Sequence, residues 1–206
     1  MGLIIIYGIN AVGKDTVANS IASISSNTLI TSESRILMYH LGLINNFDAT
    51  LKVDREIYKK LENAPREKIQ NIYSTKYLET LSQLKEKYKL VILLSHLVFA
   101  LYIDKDVTKY VTDIDIPDWL INLSDLVVHL KSPSEDILLR RITDLKIEKR
   151  ERVLRLEQIK HHQKLCDKKW EILEKRFGKK KLIIVTNENN KVTYAVNNII
   201  KFIPIK

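Results

Sequence analysis

Leu3-Ile4-Ile5-Ile6-Tyr7-Gly8-Ile9-Asn10-Ala11-Val12-Gly13-Lys14-Asp15-Thr16 is the stretch that decides how this chain reads. A β-branched apolar run of strand length leads into a glycine-bounded loop, and Val17-Ala18-Asn19-Ser20-Ile21-Ala22 continues as a helix. Strand, loop and helix in that order, with G-x-x-x-x-G-K spacing, form the mononucleotide-binding phosphate loop, or P-loop. A tight loop opening a helix aims several backbone N–H groups at one point, and the helix dipole adds positive potential there. Gly8, Ile9, Asn10, Ala11, Val12, Gly13, Lys14, Asp15 and Thr16 are therefore the candidate cradle for nucleotide phosphates. Lys14 would reach the β- and γ-phosphates as a point charge. A glycine-rich turn with an incidental lysine is the bland alternative, and it leaves the agreement of strand, lysine and helix unexplained.

Two positions depart from the pattern. Asp15 stands where a Ser or Thr normally follows the lysine and ligates Mg²⁺. A carboxylate there repels phosphate unless a cation bridges the two, and Mg²⁺ accepts carboxylate oxygen readily. Asp15 is thus the expected metal anchor, with Thr16 beside it. Ala11 replaces a loop glycine, which restricts the backbone if that position needs positive φ.

At 206 residues, 45% hydrophobic and 29% charged, the chain suits one globular domain and not a disordered tail. Its longest apolar runs are too short to span a bilayer, and Met1-Gly2-Leu3 lacks the basic start of a signal peptide. One cysteine, Cys166, excludes an internal disulfide, fits a cytoplasmic location and reads as a small core residue. Tandem His161-His162 lacks partners at metal-ligand spacing, so no zinc site is expected. The excess of 34 Lys+Arg over 25 Asp+Glu, a net +9, favours anionic partners, either nucleotides or nucleic acid.

Four more apolar runs read as buried parallel strands: Thr28–Thr31, Leu90–Leu94, Leu126–Leu130 and Leu182–Val185. Helical stretches separate them, so the pattern predicts an α/β fold with a five-stranded parallel sheet. A mostly helical insert, approximately 34–88, lies between the second and third strands, with Pro65 at a helix start and its own apolar face. Ile137, Leu138 and Ile142 line a helix that Ser132 or Ser134 can cap. A charged segment, Asp144 to Arg152, precedes a long helix striped by Leu156, Ile159, Cys166, Trp170, Leu173 and Phe177. Gly178 is placed to end it.

With these residues in order, the chain resembles P-loop nucleoside monophosphate kinases, and most closely archaeal-type adenylate kinases. The resemblance runs through Gly8 to Lys14, Lys68-Ile69-Gln70, Ser95-His96, Ile137 to Lys146 and Gln158 to Gln163. It implies one P-loop kinase domain over 1–206, a three-layer fold whose insert at about 34–88 binds the monophosphate, and a short lid near 141–155. It further implies phosphoryl transfer from ATP, with Mg²⁺, to a nucleoside or deoxynucleoside monophosphate. Lys14, Arg140, Arg141 and Arg150 would surround the transferring phosphate, with Arg152 also in the lid. Thr31, Ser34, Arg35 and His96 would face the acceptor, and Asn187 would open the loop at the adenine edge. For the arginines a solvated basic face is the alternative, and for Thr31 to Ser34 an N-cap cluster. Leu94 departs from the family by standing where an aspartate is expected, which adds to the interest of Asp15. The same resemblance leaves open an adenylate-kinase-like ATPase acting in RNA or ribosome assembly. Small-molecule nucleotides are the expected partners; RNA is compatible but not required, no membrane is expected, and a homo-oligomer is compatible.

Overall fold

The computed structural model describes residues 2–103, 106–112, 116–148, 154–178 and 181–203. All five expected strands are present: β1 (Gly2–Tyr7), β2 (Thr28–Ser32), β3 (Leu90–Ser95), β6 (Leu126–Lys131) and β7 (Leu182–Thr186). They pair in parallel in the order β2-β3-β1-β6-β7. Leu3 to Tyr7 of β1 are at most 1% exposed, and all of β3 is buried. A strand buried on both faces needs helices on both faces, which is why these segments read as continuous apolar runs and not as alternating ones.

The strand order allocates the helices. From β1 the chain crosses to β2 through α1 (Lys14–Ala22), and from β2 onward every crossover runs the opposite way along the sheet. Right-handed crossovers therefore put α1 on one face and the helices before β3, β6 and β7 on the other. The terminal helix α9 (Val192–Ile200) returns to pack on α1. The result is the three-layer α/β arrangement of P-loop kinases, with Tyr7, Ser32 and Ser95 at the carboxyl ends of adjacent strands.

The span between β2 and β3 is four helices: α2 (Glu33–His40), α3 (Arg55–Glu62), α4 (Arg66–Thr75) and α5 (Tyr77–Lys87). Pro65 caps α4, as its fixed φ suits. Ile72, Leu81 and Leu84 are buried, while α3 buries none of its residues. The insert thus leans on the core through α2 and α5, and α4 packs on both of them.

Between β3 and β6 the chain forms an antiparallel hairpin, β4 (Phe99–Ile103) and β5 (Asp106–Val111), followed by α6 (Asp118–Leu123). The sequence reading passes over this hairpin because Val98 to Ile103 prolongs the apolar run of β3. Its base docks on the long helix α8 (Leu156–Phe177): the Tyr110 hydroxyl donates to Gln158 O at 3.0 Å, and His162 Nε2 meets Val98 O at 2.9 Å. α8 buries Ile159, Cys166, Trp170 and Leu173 as its stripe predicts, and Gly178 ends it at φ 71°. α7 runs from Ser134 to Glu148, longer than expected, and covers the described part of the 141–155 segment up to that point. Arg150 and Arg152 lie outside the described residues.

Candidate phosphate-binding site

Gly13 enters α1 at φ 95°, a left-handed conformation that costs an L-residue about 1–2 kcal/mol. Space forbids a side chain there as well, since a Cβ would lie 2.3 Å from Asn187 Nδ2. Gly8 is equally confined: its Cβ would meet Leu130 O at 2.8 Å. Ala11 also sits at positive φ, 67°, so the strain anticipated for this substitution is present in the fold. Ala11→Gly should relieve the left-handed penalty while loosening the unfolded chain, for a net gain of about 0.5–1 kcal/mol. Urea unfolding would read it as a higher midpoint at unchanged m-value.

The Lys14 ammonium lies across the loop, donating to Gly8 O at 2.6 Å and Ile9 O at 3.2 Å, and is 8% exposed. Arg140 fastens the loop from outside. Its guanidinium donates to Val12 O at 2.9 Å, Asn187 O at 3.1 Å and, through Nε, Asn189 Oδ1 at 2.9 Å. Arg141 is 2% exposed and donates to Asn10 O at 3.2 Å. The adjacent pair therefore brackets Asn10 to Val12, and burial pulls Arg140 below its ordinary pKa.

Asn187 does more than the sequence suggests. It opens the loop 187–190 between β7 and α9, as expected, but its own side chain is 1% exposed and donates to Val12 O at 2.8 Å. Its backbone N–H bonds Lys131 O at 2.8 Å, and its carbonyl accepts from Ser132 Oγ at 2.5 Å. The Asp136 carboxylate accepts from Asn189 N at 2.8 Å. Ser134 bonds the Gln163 side chain. The start of α7, the 187–190 loop and the P-loop form one hydrogen-bonded block.

Asp15 and Thr16 are exposed in the first turn of α1, next to the loop. Among the described residues no group of three His, Cys, Asp or Glu side chains could cage a metal. One carboxylate and one hydroxyl beside a phosphate cradle fit Mg²⁺ held mainly by water and nucleotide phosphates. They do not fit a protein-caged ion. Leu94 is 6% exposed and supplies nothing polar.

Beyond the carboxyl end of β2, Ser32 acts as the N-cap of α2, accepting from Arg35 N at 3.3 Å, and Ser34 bonds Ser32 at 2.9 Å. Thr31 is fully buried. Arg35 is 3% exposed, and its guanidinium donates to Leu51 O. It lines a cavity of about 550 Å³ formed with residues 42–46 and 51–54 and Ile57. His96 follows the carboxyl end of β3, half-buried, on the side of the sheet where α/β folds bind ligands.

Sequence reasoning missed Glu33. It starts α2 immediately beyond β2, and the Ser95 hydroxyl, the Lys14 ammonium and the Tyr7, Tyr73 and Tyr77 phenols surround it. Burial raises its carboxyl to about 7, against the opposing pull of Ser95 and Lys14. The signal available was an acidic residue in a cap cluster at a strand's carboxyl end. In the core behind the loop, burial lowers His129 and His162 to about 4 and raises Cys166 to about 12, so these groups are uncharged at neutral pH.

No protein-family model matches the chain, and no curated protein matches it. Among solved structures it is similar to a gluconokinase from Sinorhizobium meliloti 1021, at 12% identity and a TM-score of 0.47, over 98% of this chain and 90% of that one. At that distance the fold assignment rests on the strand order and the P-loop themselves. No helix among the described residues is long and apolar enough to cross a membrane.

Proposed function

We propose that the chain is an ATP-dependent phosphotransferase that moves a γ-phosphoryl group to the phosphate of a nucleoside or deoxynucleoside monophosphate. The donor half of this reading rests on the P-loop, with its left-handed Gly13 and the Lys14 ammonium at its mouth. The observation that carries the acceptor half is Arg35. Its guanidinium, buried and bonded to Leu51 O by one of its five N–H donors, lines the 550 Å³ cavity inside the helical insert. A planar fork on a cavity wall is suited to bidentate phosphate recognition.

In this mechanism the protein does little covalent chemistry. Transfer to a phosphate oxygen depends on in-line positioning and on positive charge around the transferring group. The P-loop amides and Lys14 hold the donor phosphates, and Arg140 and Arg141 stiffen the loop and add charge. Arg150 is proposed to complete the charge from the lid. Asp15 and Thr16 would hold Mg²⁺, which supplies charge neutralisation between the phosphates when bound. Thr31, Ser34 and His96 would line the acceptor's approach.

The test is to incubate the protein with ATP, Mg²⁺ and each ribo- and deoxyribonucleoside monophosphate, and to separate the products. Diphosphate formation that requires one of the monophosphates is expected. Hydrolysis independent of any monophosphate and stimulated by RNA would instead support an assembly ATPase.

A further inference from the structure

At the carboxyl edge of the sheet the Tyr7, Tyr77 and Ser95 hydroxyls are at least 99% buried; Ser95 faces both the Tyr7 hydroxyl and the Glu33 carboxyl, and the Tyr77 hydroxyl has no hydrogen-bond partner among the described residues. Buried polar groups are almost always satisfied, so an unsatisfied Tyr77 hydroxyl beside a buried carboxyl marks a place suited to a polar partner from outside the chain. The sheet register explains their meeting. Tyr7 pairs with Ser95 across β1 and β3, and Ser32 pairs with Leu94 across β2 and β3, which sets Glu33 beside the end of β3. α4 and α5 close the nest with an aromatic wall. Tyr73 stacks on Tyr77 at 5.0 Å, Tyr77 reaches Trp119 at 6.0 Å, and Tyr73 keeps an exposed face.

Among the described residues Glu33 is the carboxyl that faces this nest. It lies two residues before Arg35, about 200° around α2 from it, so the helix presents the two charges in different directions. An ionised carboxylate repels a phosphate and accepts from a neutral donor, which leaves the phosphate to the basic groups. We propose that Glu33 is a specificity-determining residue of the acceptor site: its carboxylate receives a hydrogen bond from an uncharged O–H or N–H on the acceptor's sugar or base, which lies against Tyr73. The inference rests on the acceptor reading above and assigns which part of the nucleotide enters the nest.

The charged and titratable groups facing Glu33 are Lys14 from α1, Tyr7 from β1, Tyr73 from α4 and Tyr77 from α5, with the Ser95 hydroxyl from β3 beside it. The phenols are all pushed up from their ordinary value and stay neutral, whereas burial brings the Glu33 carboxyl to about 7, within the physiological range. Acceptor affinity should therefore fall as pH drops below about 7, where Glu33 gains its proton and ceases to be a pure acceptor.

The test is calorimetric titration of wild type and Glu33→Gln with nucleoside monophosphates, their 2′-deoxy and 3′-deoxy forms, and purine riboside monophosphate, which lacks the exocyclic amine. For the tightest acceptor, Glu33→Gln should weaken binding about 10- to 100-fold, the range for a hydrogen bond to a charged group. The analogue missing the recognised donor should bind both proteins equally, and whether that analogue is a deoxy sugar or the purine separates sugar from base. The limb near pH 7 should vanish in the variant, while the monophosphate's own titration near 6 persists in both. Equal losses across every analogue, or a limb near 7 retained in Glu33→Gln, would overturn the proposal. A wild type that binds Mg-ATP but no monophosphate overturns the acceptor reading and this inference together. A wild type that turns over a monophosphate no better than Glu33→Gln does overturns only the inference.

Discussion

Replacing Gly13 by alanine is expected to lower stability by about 2–4 kcal/mol and to abolish nucleotide binding. Two costs combine. The left-handed φ of 95° penalises any Cβ by about 1–2 kcal/mol. The new methyl would lie 2.3 Å from Asn187 Nδ2, so the amide must leave and its bond to Val12 O breaks, for roughly 1 kcal/mol or more. Unlike a surface P-loop glycine, this one carries a packing role, and thermal unfolding would show it without any ligand. A variant that melts with wild type while still binding a fluorescent ATP analogue would contradict the Gly13–Asn187 contact.

The second large effect falls on chemistry and not on the fold. Lys14→Met keeps the aliphatic stem and should melt close to wild type, because the ammonium bonds the Gly8 and Ile9 carbonyls, which nucleotide phosphate would replace as its partner. Phosphoryl transfer should fall by at least about 10²–10³-fold, the scale for losing one preorganised charge or donor at a transferring oxygen. Single-turnover kinetics at saturating ATP separates this from weakened binding. Turnover within a few-fold of wild type would remove Lys14 from the reaction.

The layered sheet is legible in the chain because β1, β3 and β6, buried almost throughout, leave apolar runs, while the edge strands β2 and β7 are partly exposed yet keep short apolar runs of their own. The P-loop is legible because its glycines answer a backbone demand that Gly13 shows directly. The 99–111 hairpin is not, since its first strand merges with the apolar run of β3. Asn187 is visible as a loop residue, but its buried amide bonds a carbonyl 175 residues away, and no local pattern encodes that. Glu33 fails for a related reason. In sequence it is one more acidic residue at a helix start, and only the convergence of β1, β3, α4 and α5 gives its carboxyl an unusual environment. α7 runs on to Glu148, past the end expected from the sequence, because charged helical residues and a charged turn share one composition.

The fastening of Gly8–Lys14 to its surroundings bears on whether the motif is portable. A phosphate loop is commonly pictured as a cassette that any strand and helix could carry. Here Arg140 and Asn187 enter from 128 and 175 residues away to hold Val12 O, and Ala11 is kept in a conformation that it would not choose alone. Transplanted without those two side chains, the cassette would arrive unsupported at its least favourable residue. A working graft must therefore carry three distant segments, and residues 8–14 are better regarded as one third of a discontinuous unit.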